Sequence, residues 1–100
     1  MKIDDLADCR KRIDALDVQI LKLLNERTKV VEQIGRIKQE LGLPIYEPKR
    51  EDDVFHNVIV SNQGPLPSDA VRRLFERIID EMRTLQRMRR EQATQTPAID

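Results

Sequence analysis

The stretch from Ile3 to Leu41 has the sequence IDDLADCRKRIDALDVQILKLLNERTKVVEQIGRIKQEL. It contains neither a proline nor a turn cluster, and Gly35 is its only weak spot. We therefore predict one helix of about 39 residues, about 60 Å long. Its apolar residues repeat as a heptad, which predicts an apolar seam along one face. One position of the heptad is occupied by Leu6, Ile13, Ile20, Ile34 and Leu41, and the other by Cys9, Leu16, Leu23, Val30 and Ile37.

A second helix is predicted between two breaks in the chain, which are marked by Gly42, Pro44 and Pro48 and by Gly64, Pro65 and Pro67. It should begin near Pro48, because a proline at the first helical position lacks only an N–H that would have no partner there. Gly64 is the predicted stop of this helix. The predicted buried stripe of this helix consists of Val54, Phe55, Val58 and Ile59.

A third helix is predicted after the second break, with Ser68 as candidate N-cap and Asp69 favourable to the helix dipole. Its apolar face reaches to about Arg89 and consists of Val71, Leu74, Phe75, Ile78, Ile79, Met82 and Leu85. From Gln92 onward the composition indicates a frayed end. We therefore expect one domain over residues 1–91 and a disordered tail over residues 92–100.

A long helix followed by two shorter ones leaves much of the long seam uncovered in a single chain of this length. A partner chain must supply the cover, and a two-fold pair of intertwined chains is the simplest arrangement. The predicted fold class is therefore all-α, with a three-helix chain that forms an intertwined homodimeric helical bundle.

Composition excludes several classes of partner. Eighteen basic and eighteen acidic residues give zero net charge, which disfavours binding to nucleic acid or an anionic membrane. The longest aliphatic run, Val58 to Val60, is too short to span a bilayer, and the N-terminus lacks the apolar core of a signal peptide, so we expect a cytoplasmic protein. Cys9 is the only cysteine, and we expect neither a disulfide nor a bound metal.

Several polar residues fall on faces that should be buried. Arg27 occupies a heptad position of the apolar seam. Burying a guanidinium there costs free energy unless it pairs with an anion. Arg27 either sets the register or pairs with a buried carboxylate such as Glu51, or it binds an anionic ligand. Lys38 lies eleven positions further on, close to three helical turns, and so projects from nearly the same side.

Two further positions extend this set. Arg50 and Glu51 precede Val54 and Phe55 by four residues, which indicates that both face inward, although a plain solvated helix start is an alternative. Gln86 follows Met82 and Ile79 at helical spacing, which places an amide on the apolar face, where it needs a partner. Cations, carboxylates and an amide without a nucleophile suit recognition of a small dianion and stabilisation of charge that develops on an oxygen.

Four segments carry a resemblance to a known family: RKRIDALD at residues 10–17, LLNER at 23–27, IGRIK at 34–38 and PIYEPKRE at 44–51. In this order and spacing, the chain resembles the all-helical chorismate mutases of the stand-alone, monofunctional type over about residues 5–90. The resemblance implies an entangled homodimer of three-helix chains with two active sites.

The resemblance also implies roles for single residues. Arg27 and Arg10 would bind the substrate carboxylates, with Arg10 supplied by the other protomer. A distance of about 42 Å along the helix separates Arg10 from Lys38, so one chain could not bring both to a small ligand. Lys38 would bond the ether oxygen and a carboxylate, and Gln86 would lie on the other side of that oxygen.

The resemblance implies that Glu51 binds the ring hydroxyl of the substrate and that Glu47 lies near this hydroxyl. It implies that Arg50 is a neighbouring substrate-binding residue. Two positions depart from the family pattern. Position 47 is often Asp in relatives, so a side-chain contact of Glu47 is doubtful. Met82 stands where some relatives have a serine that touches the substrate, and we expect it to be no more than a pocket wall.

The implied activity is isomerisation of chorismate to prephenate in phenylalanine and tyrosine biosynthesis, an intramolecular Claisen rearrangement that needs no cofactor. Two alternatives stay open, an isochorismate pyruvate lyase of the same fold and a non-catalytic helical dimerisation module. A further predicted partner is another aromatic-pathway enzyme. Cys9 is expected to be a core residue, His56 an edge residue, and the cluster Arg83, Arg87, Arg89 and Arg90 a solvated helix end.

Overall fold

The computed structural model describes residues 2–95 and the side chains of residues 2–93, and in this range the chain forms three helices and no strand. Helix α1 spans Ile3–Glu40, α2 spans Pro48–Ser61 and α3 spans Ser68–Gln95. The predicted all-α class and the predicted order of one long and two shorter helices are confirmed. None of these helices combines the length and the apolarity that a membrane crossing requires.

The end of α1 is built around Gly42. The backbone N–H of Leu43 donates to the carbonyl of Lys38 at 2.8 Å, and that of Gly42 donates to the carbonyl of Gln39 at 3.2 Å. This pair of bonds is a Schellman motif, which needs a residue with positive φ, and Gly42 has φ +67°. The motif turns the chain sharply just after Lys38 and fixes the start of the loop that leads to α2.

Helix α2 begins at Pro48 as predicted, and the carbonyl of Glu47 accepts the first helical hydrogen bond, from the N–H of Glu51 at 3.0 Å. Its end differs from the prediction, because Asn62 rather than Gly64 closes the helix. The Asn62 side chain accepts a hydrogen bond from the N–H of Gly64 and donates one to the carbonyl of Leu66. An Asn side chain that bonds nearby backbone competes with further helical bonds, so α2 stops here.

Helix α3 begins at Ser68, but the cap lies one residue earlier than predicted. The N–H of Val71 donates to the carbonyl of Pro67 at 3.1 Å, so Ser68 is the first helical residue. The helix also continues to Gln95, which corrects the expected fraying from Gln92. No glycine or proline interrupts the sequence before Pro97, and the helical hydrogen bonds therefore continue. Residues 96–100 of the expected tail lie outside the described residues.

The chain divides into two compact units, Met1–Val30 and Val31–Asp100. In the first unit the described residues form the N-terminal part of α1, where the seam residues Leu6, Ile13, Leu16, Ile20, Leu23 and Val30 are 51–64% exposed. Cys9, on the same seam, is also exposed in the single chain, so its expected place in a dimer core stays a prediction.

In the second unit the buried apolar side chains are Phe55 from α2 and Val71 and Ile79 from α3. All three lie on the stripes predicted for these helices. The guanidinium of Arg72 lies 4.4 Å from the centre of the Phe55 ring and covers it. This small core holds α2 against α3 and thereby places the first turn of α2 beside the middle of α3.

Candidate active site

Lys38 is the one buried charged side chain among the described residues, with 8% of its surface exposed. Its Nζ donates to the carbonyl oxygen of Ile45 at 2.9 Å and lies 2.5 Å from Oε1 of Glu47. Both partners belong to the loop that follows the Gly42 turn. The buried ammonium is thus held by the loop that its own helix end initiates, which satisfies the requirement that a buried charge be paired and hydrogen-bonded.

The same loop is also tied to the far part of α3. Nη1 of Arg90 donates to the carbonyl oxygen of Leu43 at 3.1 Å. Arg90 is half-buried, and its Nη2 atom is covered by protein. The predicted solvated helix end is therefore wrong for Arg90, because the loop after α1 folds back over this part of α3.

Glu51, at the start of α2, forms a bidentate ion pair with Arg83 of α3. Nη2 of Arg83 lies 2.7 and 2.6 Å from the two carboxylate oxygens, and Nε lies 3.2 Å from Oε2. Both side chains are largely buried, with 26% and 22% exposed. Glu51 was one predicted partner for Arg27, but the cation that grips it in this unit is Arg83.

Sequence reasoning missed Arg83 by grouping it with the basic end of α3. A signal was available, because Arg83 follows Ile79 by four residues and so continues the buried stripe of α3. The composition of the neighbouring residues concealed it. Arg87 and Arg89 of the same cluster are exposed, as predicted.

Gln86 is half-buried on α3, and its amide nitrogen donates to the carbonyl oxygen of Val31 in α1 at 3.3 Å. The predicted need of this amide for a partner is thereby met. The side chain packs against Gly35, where an added Cβ would lie 3.6 Å from Cγ of Gln86, which is ordinary van der Waals contact. The packing therefore leaves room for alanine at position 35.

The other predicted residues of this unit are more accessible. Glu47 is the N-cap of α2, but its carboxylate makes no capping bond and reaches back to Lys38 instead. The absence of a capping bond agrees with the expectation that Glu caps this helix less well than Asp. A contact of Glu47 with the substrate hydroxyl stays a prediction. Arg50 is exposed in the single chain, so its role in substrate binding stays a prediction, whereas Glu51 does face α3. His56 is exposed and Met82 is half-buried.

Arg10 and Arg27 both belong to the first unit. Arg10 is exposed, and Arg27 is half-buried although the apolar residues of the same seam are exposed. The structure thus leaves Arg10 available to another molecule.

Chemically, the second unit combines two cation–carboxylate pairs with a side-chain amide. Lys38 and Gln86 present N–H donors, and the Glu51 carboxylate presents acceptors. Among residues 2–93, no group of three or more His, Cys, Asp or Glu side chains could hold a metal ion. The arrangement offers hydrogen-bond donors and acceptors to a small polar ligand.

Comparison with known proteins gives a consistent family assignment. The model of the family described as chorismate mutase type II matches residues 9–87. A bifunctional chorismate mutase/prephenate dehydratase of Aquifex aeolicus is 36% identical over 89 residues, which cover 85% of this chain and 25% of that protein. The chain spans about a quarter of the length of the bifunctional curated relatives it matches.

Two solved structures match over nearly their whole length. A chorismate mutase (form II) from Thermus thermophilus is 38% identical with a TM-score of 0.81, and the match covers 83% of this chain and 94% of that one. A chorismate mutase from Helicobacter pylori, solved in complex with prephenate, is 29% identical with a TM-score of 0.77, and the match covers 93% and 97% of the two chains.

Proposed function

The chain belongs to the chorismate mutase type II family, and from this membership we propose that it isomerises chorismate to prephenate by an intramolecular Claisen rearrangement. The observation that carries the proposal is the buried ammonium of Lys38, which is held in place by Ile45 and Glu47. A buried cation fixed by backbone and carboxylate suits a group that must meet developing negative charge without rearranging. The proposed pathway role is phenylalanine and tyrosine biosynthesis.

The first task of the site is to hold the substrate in its reactive conformation. Arg27 of one chain and Arg10 of the partner chain are proposed to bind the two carboxylates of chorismate. Two bidentate clamps would fold the enolpyruvyl arm over the ring, and such positioning removes much of the entropic barrier of an intramolecular reaction.

The second task is to stabilise the transition state, in which the breaking C–O bond leaves negative charge on the ether oxygen. An ammonium has three donors, of which Ile45 and Glu47 engage two, and Lys38 can direct the third at this oxygen. The amide of Gln86 has two N–H groups, of which Val31 engages one. Each donor is expected to contribute about 3–4 kcal/mol to transition-state stabilisation.

The remaining residues are proposed to select the substrate. Glu51 would accept a hydrogen bond from the ring hydroxyl, since each carboxylate oxygen has more than one lone pair and Arg83 leaves some of them accessible. Glu47 and Arg50 would lie close to this hydroxyl and to the ring. Met82 would form part of the pocket wall.

The site requires a homodimer if Arg10 acts in the partner's site. The exposed heptad of α1 supports this assembly, because a continuous row of exposed large apolar residues on one helix face is unfavourable in water. A second copy of the same helix offers a matching seam. A cytoplasmic location and a complex with another aromatic-pathway enzyme remain predictions.

The test is to mix purified protein with chorismate, follow the loss of its ultraviolet absorbance and identify the product. We expect prephenate as the product, and a loss of about 100-fold to 1000-fold in kcat for Lys38→Ala, because one charge-stabilising donor is removed. Arg27→Ala should raise KM and also lower kcat, because the lost clamp both binds chorismate and holds it in the reactive conformation. Lys29→Ala, which removes an exposed lysine of α1 from a position off the seam, serves as the control.

Isochorismate is the second substrate in this assay. Release of pyruvate from isochorismate, without prephenate from chorismate, would assign the lyase activity instead. Failure to turn over either substrate, with no thermal stabilisation by prephenate, would leave only the non-catalytic helical module.

A further inference from the structure

Arg83 is a side chain of the second unit that has several partners and that the proposed mechanism does not use. Its guanidinium grips both oxygens of Glu51, at distances between 2.6 and 3.2 Å. A fork of this kind fixes the plane and the direction of a carboxylate, whereas a single hydrogen bond leaves it free to rotate.

The guanidinium is itself held from two other sides. Its Cζ lies 4.9 Å from the centre of the Tyr46 ring, and Nη1 lies 3.6 Å from Oδ1 of Asp80 one turn earlier on α3. Tyr46 stands between Ile45 and Glu47, the two residues that hold Lys38. Arg83 therefore contacts the start of α2 and the loop after α1 at once, and it connects Glu51 to the residues around Lys38.

The negative charge of Glu51 also calls for a cation beside it. A half-buried carboxylate near the site of a dianion would repel it, and the repulsion is stronger where water is partly excluded. Glu47 is offset by Lys38, and Glu51 is offset by Arg83. Asp80 also contacts Arg83, but at 3.6 Å and from an exposed side chain, so Glu51 is the main partner. With Arg83 in place, Glu51 can accept a hydrogen bond from a substrate hydroxyl while most of its charge is offset.

We infer that Arg83 is a positioning residue for hydroxyl recognition: it acts on the substrate only through Glu51, by holding that carboxylate in one orientation and by neutralising its charge. The inference rests on the proposed function, in which Glu51 binds the ring hydroxyl. It predicts that loss of Arg83 reduces discrimination between chorismate and the analogue that lacks the ring hydroxyl.

The experiment compares kcat/KM for chorismate and for this deoxy analogue in wild type, Arg83→Ala, Glu51→Gln and the double variant. Arg83→Ala should lower kcat/KM for chorismate by about 10-fold to 100-fold, as expected for loss of a charged hydrogen-bond partner. It should also lower the ratio of kcat/KM for chorismate to kcat/KM for the deoxy analogue towards the ratio of Glu51→Gln. The double variant should lose no more than Glu51→Gln alone. Arg77→Ala is the matched control, because Arg77 forms an exposed pair with Glu81 on the same helix.

Arg83→Lys separates folding from positioning, since lysine keeps the charge and the length but cannot form the fork. Arg83→Lys should fold, and its ratio of kcat/KM for chorismate to kcat/KM for the deoxy analogue should lie between those of Arg83→Ala and wild type. An unchanged ratio in Arg83→Ala or Arg83→Lys would overturn the inference, and so would additive losses in the double variant, which would mean that Arg83 acts independently of Glu51. Wild-type turnover of chorismate is measured first, so failure of the proposed function is seen separately and would remove the inference with it.

Discussion

The ammonium of Lys38 and the carboxylate of Glu47 form a 2.5 Å ion pair that joins the last turn of α1 to the N-cap of α2. The two ends of this pair are unequally exposed, since Lys38 is buried and half of the Glu47 side chain is in contact with water. The carbonyl of Ile45 shares the ammonium. Lys38 is therefore held by the Ile45 carbonyl together with Glu47, whose half-exposed carboxylate is screened by water.

Glu47→Ala should consequently have a small effect. We expect kcat/KM for chorismate to fall by about fivefold or less, because an exposed carboxylate is screened by solvent and Ile45 still holds the ammonium. Steady-state kinetics at low and high salt would measure this, with Glu47→Gln as the variant that keeps a hydrogen-bond acceptor. A loss as large as that of Lys38→Ala would show that Glu47 is essential to the site.

Gln86→Glu should make activity depend on acid. The wild-type amide donates at every pH, whereas a carboxyl group donates only when it is protonated. Activity of the variant should be present below the pKa of the introduced carboxyl and lost as the pH rises through it. The pH profile of kcat for wild type and variant gives the answer, and parallel profiles would contradict the role of Gln86 as a donor.

Gly35→Ala should stabilise the protein. A Cβ at this position would lie 3.6 and 3.8 Å from Cγ and Nε2 of Gln86, which is ordinary van der Waals contact. Alanine in a helix interior is favoured over glycine by about 0.5–1 kcal/mol, and we expect a gain of this size in the free energy of unfolding. Urea denaturation would measure it.

Gly42→Ala provides the contrast to this variant. The space around Gly42 is open, but its φ of +67° is unfavourable for a residue with a Cβ. We expect a loss of about 1 kcal/mol in the same measurement. If both alanine variants changed stability in the same direction, backbone conformation would not be the deciding factor at these two glycines.

Ile20→Asp should prevent formation of the proposed homodimer. Ile20 lies on the heptad seam of α1 and is 55% exposed in the single chain, so a buried carboxylate would face the partner's seam in a dimer. Sedimentation velocity should show a shift to monomer together with loss of activity. Val18→Asp is the control, because Val18 is exposed to a similar degree but lies off the seam. A dimer that tolerates Ile20→Asp would exclude the α1 seam as its interface.

The helices follow from local features that the sequence displays directly. The uninterrupted stretch to Leu41, Pro48 at the start of α2 and the apolar stripe around Phe55 each depend on neighbours within a few turns. The end of α3 was predicted too early because polar composition was taken as fraying, although no helix breaker precedes Pro97.

The pairing of side chains was decided by tertiary structure. Helical spacing alone identified Lys38, Glu51 and Gln86 as residues on inward faces, but their partners come from other elements: the loop for Lys38, α3 for Glu51 and α1 for Gln86. An inward face can be derived from the periodicity of one helix. Which cation meets which carboxylate depends on how the helices pack and where the loop returns, and so Arg83 became evident as the partner of Glu51 only in the folded chain.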